Sequence, residues 1–318
     1  MIWKFSCSIF LAFFFLNSYA QVDMPVKDVP VELFRTVKKD PGDTSTWKWK
    51  RSGLFNLNIA QGSLSNWAAG GDDFSLAIVS YFNYFVLNRG KRHNWDNNFD
   101  FNFGYLKTSS QGGRKNDDRV DILSKYGYQL DTTKKIYLSG LFNLRTQLFN
   151  GFGYVGDSAY LSSAFISPMY ILLAAGFDYK PVTNFSLFLS PLTNRFTYIG
   201  NKTLSAKGAY GVPPGLHSLN QIGVFASINY SANIFKNVSY KGRVDLFTDY
   251  RNNPQNVDLF YTNFLVFKIN KFMTATYGLD MIYDDDVKLF GKNNDSPALQ
   301  VKSLIGIGVS IPFEQVKD

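Results

Sequence analysis

The chain has one cysteine, two histidines and only short apolar runs. Each scarcity removes a class of function. The cysteine, Cys7, lies among the first twenty residues, so the rest carries no disulfide, no catalytic thiol and no cysteine-based metal site. His93 and His217 are too few and too far apart for a zinc-type ligand set. A serine nucleophile would need a histidine beside it. His217 and Ser218 are neighbours, but in "GVPPGLHSLN" they sit in a Pro- and Gly-containing loop, which reads as a solvated loop histidine. No catalytic residue is therefore expected, and the chain does not read as an enzyme. Beyond the first twenty residues the longest uninterrupted apolar run is "YILLAAGF", far short of the ~20 residues of a spanning helix. No stretch reads as a convincing helix.

The N-terminus is organised differently. "MIWKFSCSIFLAFFFLNSYA" has one positive charge at Lys4, an apolar core from Phe5 to Leu16, and small residues at Ser18 and Ala20. This is the layout of a secretory signal peptide over residues 1–20, cleaved before Gln21; the apolar core is short for a membrane anchor. The surroundings of Cys7 do not resemble a lipoprotein cleavage site. The formal charge is +8, of which Lys4 supplies one. A basic, aromatic-rich chain can suit nucleic acid, but export argues against that partner and for anionic lipid headgroups. Gln21–Thr46 holds three prolines, mixed charge and no sustained period. It reads as a polar periplasmic lead-in, or as a segment that docks on another envelope protein.

From Trp47 onward, residues 47–318, one pattern repeats: apolar and polar residues alternate with period two over unusually long runs. In "HNWDNNFDFNFGYL", Trp95, Asn97, Phe99, Phe101, Phe103 and Tyr105 share one face, and Asn94, Asp96, Asn98, Asp100, Asn102 and Gly104 the other. About twelve such runs are expected, most of ten to fourteen residues, starting near Trp47, Phe74, Trp95, Arg119, Lys135, Tyr170, Phe185, Gln221, Val238, Val257, Phe272 and Ala298. Strands of soluble proteins average ~5–6 residues, whereas a tilted membrane-crossing strand needs ~9–11. Short connections alternate with longer ones at Gln61–Asp73, Lys107–Asp118, Phe149–Pro168, Gly200–Asn220, Arg251–Asn256 and Asp285–Pro297. Aromatic residues gather near both ends of the runs, as at bilayer interfaces. The expected fold is all-β, a transmembrane up-and-down antiparallel β-barrel in the outer membrane. A secreted β-sandwich would also alternate, but with shorter strands and a less consistently apolar outer face.

The polar face then lines the lumen. Asp96, Asp100, Asp121, Lys125, Arg145, Lys241, Arg243, Asp245, Asp258 and Asp280 are the candidate lumen-lining and binding residues. Both signs are present. The set fits a plug of mutually satisfied ion pairs and equally a hydrophilic path with charged walls. Twelve strands lie between the filled interior of eight and the aqueous channel of sixteen. Inward Tyr81, Phe188, Phe225 and Phe247 would narrow any pore. "YDDDVK", with Asp284, Asp285 and Asp286, could hold a hard cation such as calcium at the rim, but it lacks the spacing of a dedicated calcium loop. No metal or cofactor is expected.

The most distinctive stretch is "QGSLSNWAAGGDD", Gln61–Asp73. Gly70 and Gly71 suit a tight turn, Ser65 and Asn66 can bond to nearby backbone, and Trp67 can anchor at an interface. No base stands near Ser63 or Ser65, so the loop reads as structural or gating. Gln61, Ser65, Asn66, Trp67, Gly70 and Gly71 are its candidate residues. Together with "WDNNFDFNFGYLK", "FLSPLTNRFTYI" and "LDMIYDDDVKL", the stretch resembles an uncharacterised family of Bacteroidetes-type outer-membrane proteins, a domain of unknown function. The resemblance spans roughly Trp47 to Phe313 and implies an outer-membrane barrel, with no substrate and no functional residue to carry over. Two roles follow: a narrow channel or solute-binding barrel set in lipid and lipopolysaccharide, or a structural, partner-binding subunit of an envelope assembly.

Overall fold

The computed structural model describes residues 48–64, 73–110, 112–155, 158–182, 184–235, 237–270, 273–285 and 296–317. The expected signal peptide and lead-in lie outside them. Twelve strands close into one antiparallel barrel: β1 (Trp49–Ser63), β2 (Phe74–Arg89), β3 (His93–Thr108), β4 (Gly112–Gln129), β5 (Ile136–Thr146), β8 (Met169–Tyr179), β9 (Phe185–Tyr198), β10 (Ser218–Phe235), β11 (Val238–Asp249), β12 (Asp258–Lys268), β13 (Met273–Tyr283) and β14 (Gln300–Lys317). Each pairs with the next in sequence, and β14 returns to β1, where Phe55 lies opposite Ile311. Closure gives every barrel strand a partner on both sides, the condition hydrocarbon imposes on any sheet.

The alternation decides what faces where. Ile59, Ile122, Leu138, Leu173, Leu189, Ile305 and Ile307 are exposed on the outside, while Asp100, Asp121, Asp178, Arg145 and Arg243 are buried inside. This inverts the polarity of a water-soluble barrel and matches one immersed in lipid. Trp95, Tyr126, Tyr179, Tyr230 and Phe267 are exposed near the short-turn end, and Trp95 packs edge-on against Trp49 at 6.5 Å. Even an eleven-residue strand such as β5 extends about 36 Å at ~3.3 Å per residue. At a tilt of ~40° that covers about 28 Å, enough for the apolar band of such barrels.

Three expectations need correction. Half of the barrel strands exceed fourteen residues, and β4, β10 and β14 reach eighteen. For that reason Lys107–Asp118 is not a long loop: β3 extends to Thr108 and β4 begins at Gly112, with a bulge at Gly104. Second, the loop expected over Phe149–Pro168 contains a hairpin, β6 (Gly151–Val155) and β7 (Ser158–Ser163). Third, the loop expected over Gly200–Asn220 holds a five-residue helix, α1 (Lys202–Ala206), where no helix was expected. Asn201 caps it by accepting from the Thr203 and Leu204 amides at 3.0 and 3.1 Å. A helix of this length has too few turns for periodicity to reveal it.

Candidate functional site

The interior of the barrel divides into two unlike halves. Along β4, β5, β8, β9, β10 and β11, buried Leu123, Leu141, Leu172, Ala174, Phe188, Phe225 and Phe247 form one apolar cluster inside the lumen. Ion pairs sandwich it. Towards the short turns, Asp178 takes Lys125 and, at 3.1 Å, Lys180, and the Lys125 ammonium lies 5.2 Å from the Phe188 ring centre. Towards the long loops, Arg145 donates to Asp121 through Nε and Nη2 at 2.9 and 2.8 Å, and Asn143 donates to the same carboxylate. Arg195 reaches Asp258 at 2.9 Å while stacking 4.1 Å from the Phe247 ring centre. Arg243 donates to Asp245 through Nε at 2.7 Å. The Arg243–Asp245 pair lies beside the cluster on β11, two to four residues before Phe247. Buried charges need such partners, because removal from water without one costs several kcal/mol.

The remaining wall, β1 to β3 with β13 and β14, carries many small and carboxamide side chains beside the inward Tyr81, buried Phe85 and Ile282, and the Arg89–Asp96 pair. Asn58, Asn98, Asn102, Thr276, Gly278, Asp280, Gly306 and Gly308 face inward and are only half buried. Asp100 is buried here and accepts from neutral donors, Tyr81 at 2.6 Å, Asn83 at 2.7 Å, and Asn98. Among the described residues no cation pairs with it. Gly308 has a steric reason: a Cβ there would run into the Asn58 side chain that lies across it.

A folded cap sits at the long-loop end. Ala164, Ile199, Leu204, Tyr210 and Val212 pack with the inward-facing Tyr170 of β8, so loop residues enter the mouth on that side. The Tyr210 hydroxyl donates to the Ser162 carbonyl at 2.6 Å. The hairpin base is held by Lys115, which donates to Asp118, Gln147, Phe149 O and Ser163 at 2.7–3.1 Å. Beside the cap, a cleft lined by Arg195, Phe247, Asp249, Asn252, Asn256 and Asp285 leaves about 10 Å³ open to a water-sized sphere, room for about one water.

The structure brings together most of the residues expected from sequence. Asp96, Asp100, Asp121, Lys125, Arg145, Arg243, Asp245 and Asp258 are all buried on the inner face, and Lys241 and Asp280 face inward, half buried. Asp96 pairs with Arg89 at 2.9 Å. Of the loop motif, Gln61 lies exposed on β1, while Ser65, Asn66, Trp67, Gly70 and Gly71 fall outside the described residues. In the acidic run, Asp284 is buried and Asp285 accepts from Asn256 and Tyr283; Asp286 is not among the described residues. No group of three or more metal-ligating side chains occurs among the described residues. His217 Nδ1 sits 2.6 Å from the Ile199 carbonyl, and His93 stacks on Tyr126.

Arg195 is a lumen residue that alternation alone misses. Counting by twos from Ser186 and Phe188 puts Asn194 inside and Arg195 outside. A bulge at Ser190–Leu192 adds one residue to β9 and reverses the phase, so Thr193, Arg195 and Thr197 turn inward. Pro191, which cannot donate to a ladder, was the available signal. Lys180 and Lys115 escaped for another reason, since they lie just past a strand end and within a region read as loop.

A model of the family described as a protein of unknown function (DUF3078) matches residues 59–152, from β1 into β6. No curated protein matches. Among solved structures, the translocator domain of autotransporter NalP from Neisseria meningitidis aligns with 84% of this chain and 90% of its own, at 10% identity and a TM-score of 0.39. An outer membrane channel from Pseudomonas putida F1 aligns over 87% and 100%, at 9% identity and 0.42. The NanC porin aligns over 80% and 98%, at 10% identity and 0.39. This chain is thus similar to a family of unknown function over residues 59–152.

Proposed function

We propose that the chain is an integral outer-membrane barrel that passes or binds a small polar solute along one wall of its lumen. The observation that carries this reading is the asymmetry of the interior. The buried apolar cluster and most of the buried ion pairs lie in the β4–β11 half, while the opposite half, beside Tyr81, Phe85 and the Arg89–Asp96 pair, presents more short, half-buried polar side chains and glycines. A lumen meant only to be sealed has no need of such a wall. Membrane placement is supported by the closed sheet, the exposed apolar belt and the aromatic rims. The reading includes export through the N-terminal signal, contact with lipid and lipopolysaccharide, and the wider resemblance to the Bacteroidetes-type family. It assigns no catalytic step, cofactor or nucleic acid. A second reading, a partner-binding subunit of an envelope assembly that docks through Gln21–Thr46, draws on the filled half and the capped mouth.

The test is single-channel conductance of the purified protein in a planar bilayer, after heat-modifiable gel mobility shows a folded barrel. Steady conductance whose ion preference changes in Asp100→Lys supports a channel along the β1–β3 wall. A barrel that inserts and stays silent moves the assignment to the assembly role, checked by a pull-down with and without Gln21–Thr46.

A further inference from the structure

One row across the lumen gathers three of the buried polar atoms that lack a hydrogen-bond partner among the described residues. Asn229 of β10, Arg243 of β11 and Thr262 of β12 are in register on adjacent strands, and all face inward. They are 4%, 2% and 6% exposed. Asn229 Oδ1, Arg243 Nη1 and Thr262 Oγ1 have no hydrogen-bond partner among the described residues. Buried polar atoms without partners are rare in native structures and require an explanation, usually a bound molecule or an ordered water. Three in register on three successive strands form a linear array.

The array has a defined chemistry. Arg243 spends its Nε and Nη2 on Asp245, which leaves Nη1 as a donor. Asn229 Nδ2 donates to the Ser227 hydroxyl at 3.1 Å, which leaves Asn229 Oδ1 as the open acceptor. Thr262 can do either. An anion would suit Arg243 but face the Asn229 oxygen; a cation would suit Asn229 but face the guanidinium. A hydroxyl group both donates and accepts. In-register neighbours stand about 5 Å apart at Cβ, so the array extends roughly 10 Å. One water, with bonds of about 2.8 Å, bridges two neighbours but not all three. The row continues to the half-buried Asp280 of β13, opposite Thr262, on the glycine-bearing wall.

We infer that Asn229, Arg243 and Thr262 form a subsite in the lumen for a neutral polyhydroxylated solute of monosaccharide size. This names a solute class for the proposed passage and rests on that reading, so the two are tested by different signals. Binding is read by saturation-transfer NMR, with D-glucose as the probe against the full barrel in detergent micelles, and acetate and tetramethylammonium as charged controls. Saturation of the glucose ring protons, exceeding both controls, is expected. Asn229→Leu and Thr262→Val should each weaken it about fivefold, the effect of one hydrogen bond, while the outward Ser80→Ala leaves it unchanged. Heat-modifiable mobility shows that each variant is folded. No transfer to glucose in the wild type, meaning ordered water alone, overturns the subsite whatever the conductance. Transfer unaltered in both row variants overturns its placement. Transfer that depends on the row in a barrel silent in the bilayer keeps the subsite and sinks the channel.

Discussion

The filled half of the lumen can be tested through one arginine. Arg145→Met keeps most of the side-chain volume and leaves Asp121 buried with Asn143 as its remaining side-chain donor among the described residues. If the layer is dry, removing one partner of a buried pair costs about 3–5 kcal/mol. If the lumen is filled with water instead, two charges about 4 Å apart interact by only ~1 kcal/mol, and the loss falls to that level. The Asp121→Leu, Arg145→Met double variant should recover most of the dry-layer cost, because no uncompensated charge remains. Urea unfolding of the barrel in lipid vesicles, followed by tryptophan fluorescence and by gel mobility, measures all three. A single-variant loss near ~1 kcal/mol, with no recovery in the double variant, refutes the packed interior and the two-sided lumen built on it.

Phe247→Ala removes the ring under Arg195 beside the mouth cleft and should raise conductance, at a stability cost of about 3–5 kcal/mol; unchanged conductance would place the narrowest point elsewhere. Lys115→Met takes away four hydrogen bonds at the hairpin base and should speed protease cleavage within Gly151–Ser163, with heat-modifiable mobility retained. Cleavage at the wild-type rate would show that the apolar cap alone holds the hairpin. In the β4–β5 turn, the Thr133 hydroxyl, with the Ile136 and Lys135 amides, lowers the Asp131 pKa from 3.8 to about 2. A depressed folded pKa means the capping contribution is complete above the unfolded value and is lost as pH falls through about 2. An NMR titration of the Asp131 carboxyl should show that midpoint; one near 3.8 would mean that the turn bonds do not form in solution.

Period-two patterning is a local property of an extended backbone. The residues of "HNWDNNFDFNFGYL" therefore announced both the strand and its two faces, and Asp96 and Asp100 are buried where the pattern put them. Twelve such strands with an apolar outer face imply closure, because an open edge in hydrocarbon leaves backbone groups unbonded. Local pattern fails where one residue changes the count: the bulge around Pro191 brings Arg195 inward, which no alternation rule anticipates. It fails also where structure is held from outside, as in α1, too short to stand without the Tyr170 cluster. Whether inward charges plug the lumen or line a path was open in the sequence for a further reason. Alternation places Arg145 and Asp121 on the inner face, but the register between β4 and β5 sets them opposite each other as a pair. The same holds for the Asn229–Arg243–Thr262 row, assembled by register between three strands. A chain announces which face of each strand looks inward; only closure of the barrel decides which inward groups meet.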